Sequence, residues 1–397
     1  MIIVGAGLAG LAAADALSDQ RILVLERGPA PGGRAATHTR GGLTYELGAL
    51  VPPNPRLVPG FDPAPSLETP QRLGVAIGGA VIFGATMNDL ADELPDGAGA
   101  ELTDFAQGRI EDPTTLSEPA RGLVSAASRL FFSLNLERTP VPLTRMALSS
   151  LMGQAFAHGY LELVEYLARD LEGRLRTSAE VVQVLSEGDT VRVLWRRGGW
   201  EHESLARAVI VATEAPAVPG LVKDLSDGAV AGMAAQSSAA GIIVALGIRN
   251  LRWPTFTTIY LPTGKAHAVL RHPGPPRGGV TVLYVHYGDA AFRELSTEDD
   301  DAILSDALEV LRHLGLGPLP DDDVVLRDLR RWPHAIPCPR ADAVPPPWAV
   351  RARAAPRIWL AGDHVGAPNS PGGGAPTAIR SGYAAAAAVR TLLEEGE

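Results

Sequence analysis

Three glycines near the N-terminus, Gly5, Gly7 and Gly10, stand in GxGxxG spacing within Gly5-Ala6-Gly7-Leu8-Ala9-Gly10. That spacing suits a pyrophosphate. Gly5 permits a tight turn, and Gly7 lets the backbone approach the phosphates where a Cβ would push them off. Gly10 lets the following helix pack close to the strand before it. A helix opening at Leu8 and Ala9 offers free N–H groups and the positive end of its dipole. Glu26 closes the next apolar run, Ile22 to Leu25. Its carboxylate suits both hydroxyls of an adenosine ribose and repels a 2′-phosphate. The glycines alone are weak evidence in a chain with 43 of them. Their setting is specific: a strand at Met1 to Val4, an Ala-rich helix at Leu11 to Leu17, then a strand with an acid at its tip.

The next residues separate NAD from FAD. Arg27-Gly28-Pro29-Ala30-Pro31-Gly32-Gly33-Arg34 follows the acid, and Tyr45-Glu46-Leu47-Gly48-Ala49 comes shortly after. In these motifs the chain resembles the flavin amine oxidase superfamily, whose relatives include monoamine oxidases, protoporphyrinogen oxidases, phytoene-type desaturases and renalase-like proteins. The resemblance implies FAD. It sets Arg27, Gly33 and Arg34 along the cofactor, the latter two beside the pyrophosphate and ribityl chain. It sets Gly48, Ala49 and Leu50 beside the flavin ring. Arg34 supplies a fixed fork of donors for phosphate oxygens.

A second clamp is expected near the other end. Arg357-Ile358-Trp359-Leu360-Ala361-Gly362-Asp363 reads as a buried strand ending in Gly-Asp, and Ala375 to Val389 as a long helix. The resemblance implies that Gly362 and Asp363 meet the ribityl chain. It also aims the helix start, near Ala375 and Thr377, at the flavin pyrimidine edge, where its positive end suits a reduced, anionic ring. The loop Pro368 to Gly374 departs from the family in its Gly and Pro content, and Pro376 removes an N–H donor. In the middle, the resemblance makes Val182 the adenine contact and Ala212 part of the segment returning to the cofactor.

These residues need positioning elements. Residues 1–52, 157–234 and 340–397 read as a discontinuous α/β unit, a Rossmann-like FAD-binding domain of the glutathione-reductase/hydroxybenzoate-hydroxylase type. Residues 235–339 read as strands joined by short loops, with one helix at Asp299 to Leu314: an antiparallel-sheet substrate domain. Residues 53–156 read as a helical and loop insertion closing the pocket. Its apolar patches, Leu130 to Phe132 and Met146 to Met152, suit a packed core, with membrane contact or a substrate entrance as the alternatives.

The run Trp332-Pro333-His334-Ala335-Ile336-Pro337 resembles the stretch that passes near the flavin in the relatives, which makes Trp332 and His334 the catalytic candidates. His267, His272, His286 and His364 are scattered, and Tyr260, Tyr284, His286 and Tyr287 lie on strands of undetermined facing. No Ser-His-Asp elbow, HExxH or P-loop occurs. Lys223 and Lys265 are the only lysines, and Cys338 the only cysteine, so the expectations are non-covalent FAD and no metal. A net charge of −10 argues against nucleic acid and anionic membranes. No run reaches transmembrane length. A cytoplasmic monomer or homodimer acting on a small molecule is expected. Three readings stay open: oxidation of an apolar substrate such as an amine, a desaturase, porphyrinogen-type or redox-neutral isomerase flavoenzyme, and a non-catalytic FAD-binding protein.

Overall fold

The structure is a computed structural model that describes residues 1–51, 53–63, 72–149, 159–234, 236–274, 276–339, 353–365 and 373–395. The strand Ile2–Val4 is apolar at every position and fully buried. Such a run demands cover on both faces. It lies inside a six-stranded sheet ordered Arg353–Ala355, Ile358–Leu360, Val209–Val211, Ile2–Val4, Leu23–Leu25, Leu175–Arg176. All neighbours run parallel except the edge strand Arg353–Ala355. The beginning, middle and end of the chain are thus stitched into one sheet.

Alternate side chains divide between two layers. Ile3, Val24, Ile210 and Trp359 face a helical layer that includes Leu8–Ala16 and Gly374–Glu395. Alanines and glycines let these two helices approach closely, since a Cβ on Gly382 would strike the carbonyl of Ala9. Ile2, Val4, Leu25, Val209 and Val211 face a three-stranded meander, Glu180–Glu187, Thr190–Arg197 and Trp200–Ala206. The sequence shows only the first two of these strands, because Trp200–Ala206 is polar and exposed along most of its length.

The second sheet has seven strands: Val324–Pro339, Gln236–Arg249, Val280–Tyr287, Ala266–Arg271, Thr258–Tyr260, Leu73–Ile77 and Ala80–Gly84. The last two form a hairpin within residues 53–156 and correct the reading of that segment as helices and loops only. Leu73–Ile77 runs parallel to Thr258–Tyr260, a pairing between distant segments that local pattern does not reveal. The strand expected at Val324 to Arg330 continues to Pro339. Pro333, which has no N–H to give a ladder, lies where the register shifts opposite Ala239 and Gly241.

Register settles the facing of this sheet. Ile243 lies opposite His286 on one side and Arg330 on the other. Ile243, Ala245, Ala268 and Tyr284 share a core with the helices Glu118–Phe132 and Val141–Ser149. Ile242, Val244, Val285 and Tyr287 face away, toward the helix Asp300–His313. The apolar patch from Leu130 to Phe132 therefore packs inside the protein, and among the described residues no helix is long and apolar enough to cross a membrane.

Candidate functional site

A cavity of about 1180 Å³ runs from the Gly-rich turn to the second sheet. The turn fits a dinucleotide on an observation of its own. Gly5 has φ +96°, and a Cβ there would crowd the carbonyl of Ala212. Gly7 has ordinary backbone angles, φ −73° and ψ 179°, yet a Cβ there would meet nothing within 4 Å. The space over Gly7 is therefore open cavity, bordered by the first N–H groups of the helix Leu8–Ala16. Gly10 does not border the cavity. A Cβ on it would strike the Gly5 carbonyl, so its part is to let helix and strand pack.

Glu26 lies in the wall and braces the turn. Its Oε2 accepts the Ala6 N–H at 2.7 Å and its Oε1 the Gly28 N–H at 2.6 Å. Arg27, beside it, approaches Glu214 at 3.9 Å. Ala179, Glu180 and Val181 complete this end. Val182, expected at the adenine, is not in the wall; Val181 is. A bulge between Val181 and Gln183 shifts the facing by one residue, which pattern alone does not show.

Arg34 lies in the cavity wall and uses part of its fork within the protein. Nη2 donates to Asp363 Oδ1 at 2.7 Å, and Nη1 donates to the Ala335 carbonyl at 2.6 Å. One side chain thus ties the Gly33–Ala35 turn to the C-terminal Gly-Asp turn and to the Trp332 strand. The Arg34 carbonyl accepts the Ala49 N–H at 2.8 Å, and it lies where a Cβ on Gly48 would have to go. Gly48 is also close to Trp332, whose indole N–H donates to the Leu47 carbonyl. Gly362 is fastened by Ser381 Oγ, which accepts its N–H at 2.9 Å.

The wall thus gathers Gly5, Gly7, Leu8, Ala9, Glu26, Arg27, Gly33, Arg34, Gly48, Ala49, Leu50, Ala212, Gly362, Asp363, Ala375, Thr377 and Trp332. His334 is exposed and outside it, because its neighbours Trp332 and Ala335 take the inward positions across the bulge. His364 is buried but also outside the wall. Loop residues Pro368 to Gly372 and Ser150 to Met152 lie outside the described residues. The sequence reading left out Ser133, Gly241, Ile243 and Arg330, which line the cavity. The register Gly241–Trp332 and His286–Ile243–Arg330 brings most of these together, and that signal exists only once strands are paired. Among the described residues no group of His, Cys, Asp or Glu is arranged for a metal ion.

Glu46, just before Gly48, is a buried carboxyl. Tyr160 N–H and Thr37 Oγ1 donate to its Oε1 at 3.0 and 2.9 Å, while Oε2 has no partner. Burial pushes its pKa from 4.5 up to about 7. The folded state therefore keeps a proton that the unfolded chain releases, and stability falls as pH rises between these values. Glu46→Gln is expected to flatten this fall, gaining up to about 3 kcal/mol over wild type at pH 8. Melting curves of both proteins between pH 5 and 8 check it; parallel pH profiles would contradict it.

The comparisons with known proteins agree with this geometry. Residues 50–390 match the family model for flavin containing amine oxidoreductases, and residues 3–56 match a NAD(P)-binding Rossmann-like domain. The chain belongs to the flavin-containing amine oxidoreductase family. It is an FAD-dependent oxidoreductase, with a Rossmann-like unit joined to a largely antiparallel sheet. No curated protein sequence matches it. Among solved structures it is similar to cyclohexylamine oxidase from Brevibacterium oxydans IH-35A, with 17% identity, TM-score 0.76 and 99% of each chain covered. It is also similar to a putrescine oxidase bound to putrescine, with 17% identity, TM-score 0.77 and 98% of each chain covered. At that identity the likeness is one of fold.

Proposed function

We propose that the protein oxidises an apolar amine, with FAD held without a covalent bond. The observation carrying this reading is the character of the chamber beside Gly48–Leu50. Phe131, Phe132 and Trp332 supply aromatic walls, Leu130, Met146 and Ile243 apolar ones, and His286 and Ser133 are the polar residues among them. Aromatic walls with polar residues among them favour an amine over a polyene or lipid. When bound, FAD supplies a two-electron hydride acceptor. The protein's own part is to hold a C–H bond toward it, keep water out and hold the nitrogen.

Non-covalent attachment is supported by Cys338. Its thiol is buried, lies 3.1 Å from Ser237 Oγ, and is not in the cavity wall. Lys223 and Lys265 are likewise outside the wall, and Lys265 approaches Glu294 on the surface. Trp332 is the aromatic group we place against substrate, while His334 is withdrawn from that role. We assign residues 1–52, 157–234 and 340–397 to the cofactor unit, and 53–156 with 235–339 to the substrate unit. A cytoplasmic setting rests on the single cysteine. The test is aerobic turnover with cyclohexylamine. We expect cyclohexanone and peroxide in equal amounts, as the imine hydrolyses and oxygen accepts the electrons. An isomerised product without peroxide would contradict amine oxidation.

A further inference from the structure

The strand Val324–Pro339 carries three arginines, and one of them stands apart. Arg327 meets Asp321 at 3.7 Å, and Arg331 meets Asp300. Among the described residues Arg330 meets no carboxylate; its guanidinium lies over the Trp332 ring, 4.5 Å from the centroid. Asp328, Arg330 and Trp332 alternate along one face of this strand, opposite Ala245, Ile243 and Gly241. The hairpin of Thr37–Arg40 and Leu43–Glu46 covers that face and is anchored on either side of Arg330. Tyr45 Oη donates to Asp328 Oδ2 at 2.6 Å, and the Trp332 indole N–H donates to the carbonyl of Leu47, the residue after the hairpin. Between these two anchors Arg330 is exposed and borders the cavity.

His38, on the hairpin, is its neighbour. Burial, and after it the Arg330 cation, hold the His38 pKa below its ordinary 6.5, against a smaller opposite pull from Asp328. At neutral pH the ring is therefore uncharged and offers one N–H. His38 is half-buried, stacks on Tyr45 with 5.9 Å between ring centroids, and also borders the cavity. The other arginines of the wall are placed elsewhere. Arg27 approaches Glu214, Arg34 holds Asp363, and Arg380 stands on the helix Gly374–Glu395 beside the first sheet. The remaining carboxylates of the wall, Glu26 and Glu180, lie at the end of the Gly-rich turn. A guanidinium fork held over an aromatic face, open to a cavity and without an anion, suits a carboxylate.

We propose that Arg330, held over Trp332 and flanked by His38, binds a carboxylate of the substrate, so that the preferred substrates are amines with an apolar body and a carboxylate remote from the nitrogen. This rests on the amine-oxidation reading and names the substrate class within it. The apolar walls take the body, and Arg330 takes the far end. Remoteness follows from Trp332. Its Cζ2 edge lies 3.4 Å from the place of a Cβ on Gly48, while Arg330 covers its face. The cation thus stands about an indole's width from the Gly48–Leu50 turn, which suits a carboxylate several bonds from the reacting carbon rather than one on it.

The test compares trans-4-aminocyclohexanecarboxylate, its neutral carboxamide and cyclohexylamine on the FAD-loaded protein, with kcat/KM read from peroxide formation. Wild type is expected to prefer the carboxylate to the carboxamide at least about tenfold, mainly through KM. Arg330→Gln is expected to bring that ratio to about one, and Arg330→Lys to keep about threefold. Arg330→Glu is expected to invert the preference, taking trans-cyclohexane-1,4-diamine about tenfold better than the carboxylate. Each ratio is internal to one protein, so it does not depend on how much of a variant folds. Cyclohexylglycine, with its carboxylate on the reacting carbon, is expected to show no gain over cyclohexylmethylamine; an equal gain overturns the remote placement. Equal use of carboxylate and carboxamide by wild type, or a glutamine variant that keeps the preference, overturns the proposal while amine oxidation stands. If none of these amines reduces the wild-type flavin without oxygen, the amine-oxidation reading itself fails, and the proposal falls with it.

Discussion

Gly7→Val is expected to purify as a folded protein without flavin. Its backbone angles are ordinary for any residue, and its Cβ would meet no atom within 4 Å. The fold therefore has no objection to valine beyond a poorer start for the helix Leu8–Ala16, about 1 kcal/mol. The objection comes from the cavity, where the branched side chain would occupy the space in front of the helix N–H groups. Losing two charge-assisted hydrogen bonds at about 1.5–3 kcal/mol each lowers FAD affinity at least a hundredfold. Gly10→Val is the contrast. Its Cβ would collide with the Gly5 carbonyl, so that variant is expected to lose the fold as well. Flavin absorbance per protein, beside circular dichroism, separates the two. A Gly7→Val protein that retains FAD like wild type would disprove the placement of the phosphates.

The second large effect is expected at Arg34. Its link to Asp363 joins residues 329 apart in sequence, and Asp363 is 5% exposed. Arg34→Met leaves that carboxylate buried with no cation and frees the Ala335 carbonyl. Breaking a buried pair from one side typically costs 3–5 kcal/mol, and the 31% exposure of Arg34 places this one near about 3. Asp363→Asn leaves the cation nearer solvent and is expected to cost less. The double variant should cost less than the sum, since the second change removes the stranded charge. Denaturant unfolding of the four proteins measures this. An Arg34→Met protein within about 1 kcal/mol of wild type would show that the clamp is not structural.

What the sequence could reveal follows from what is local in it. The turn Gly5 to Gly10, Glu26, the Gly33-Arg34 loop and the strand ending at Gly362-Asp363 each carry their signal within a few residues. Each of these segments borders the cavity, although Gly10, whose part is packing, does not. The departures are matters of register and pairing. Val182 gave way to Val181 because of one bulge, and His334 turned outward beside another. The hairpin Leu73–Gly84 joined a sheet through Thr258, 185 residues after its partner Leu73. Arg34 borders the cavity, and two of its donors also hold Asp363 and Ala335, a link between distant segments that local pattern does not show. The facing of His286 required three strands to be aligned, and Ser133 required the end of a helix to be placed against them. No sequence window contains those relations.

The most direct measurement is anaerobic mixing of the FAD-loaded protein with cyclohexylamine while following the flavin absorbance. The flavin should bleach, at a rate that rises with amine concentration and then saturates, and cyclohexanone should form in one equivalent per flavin. Flavin that stays oxidised with this and other apolar monoamines, yet is reduced at once by dithionite, would contradict the account.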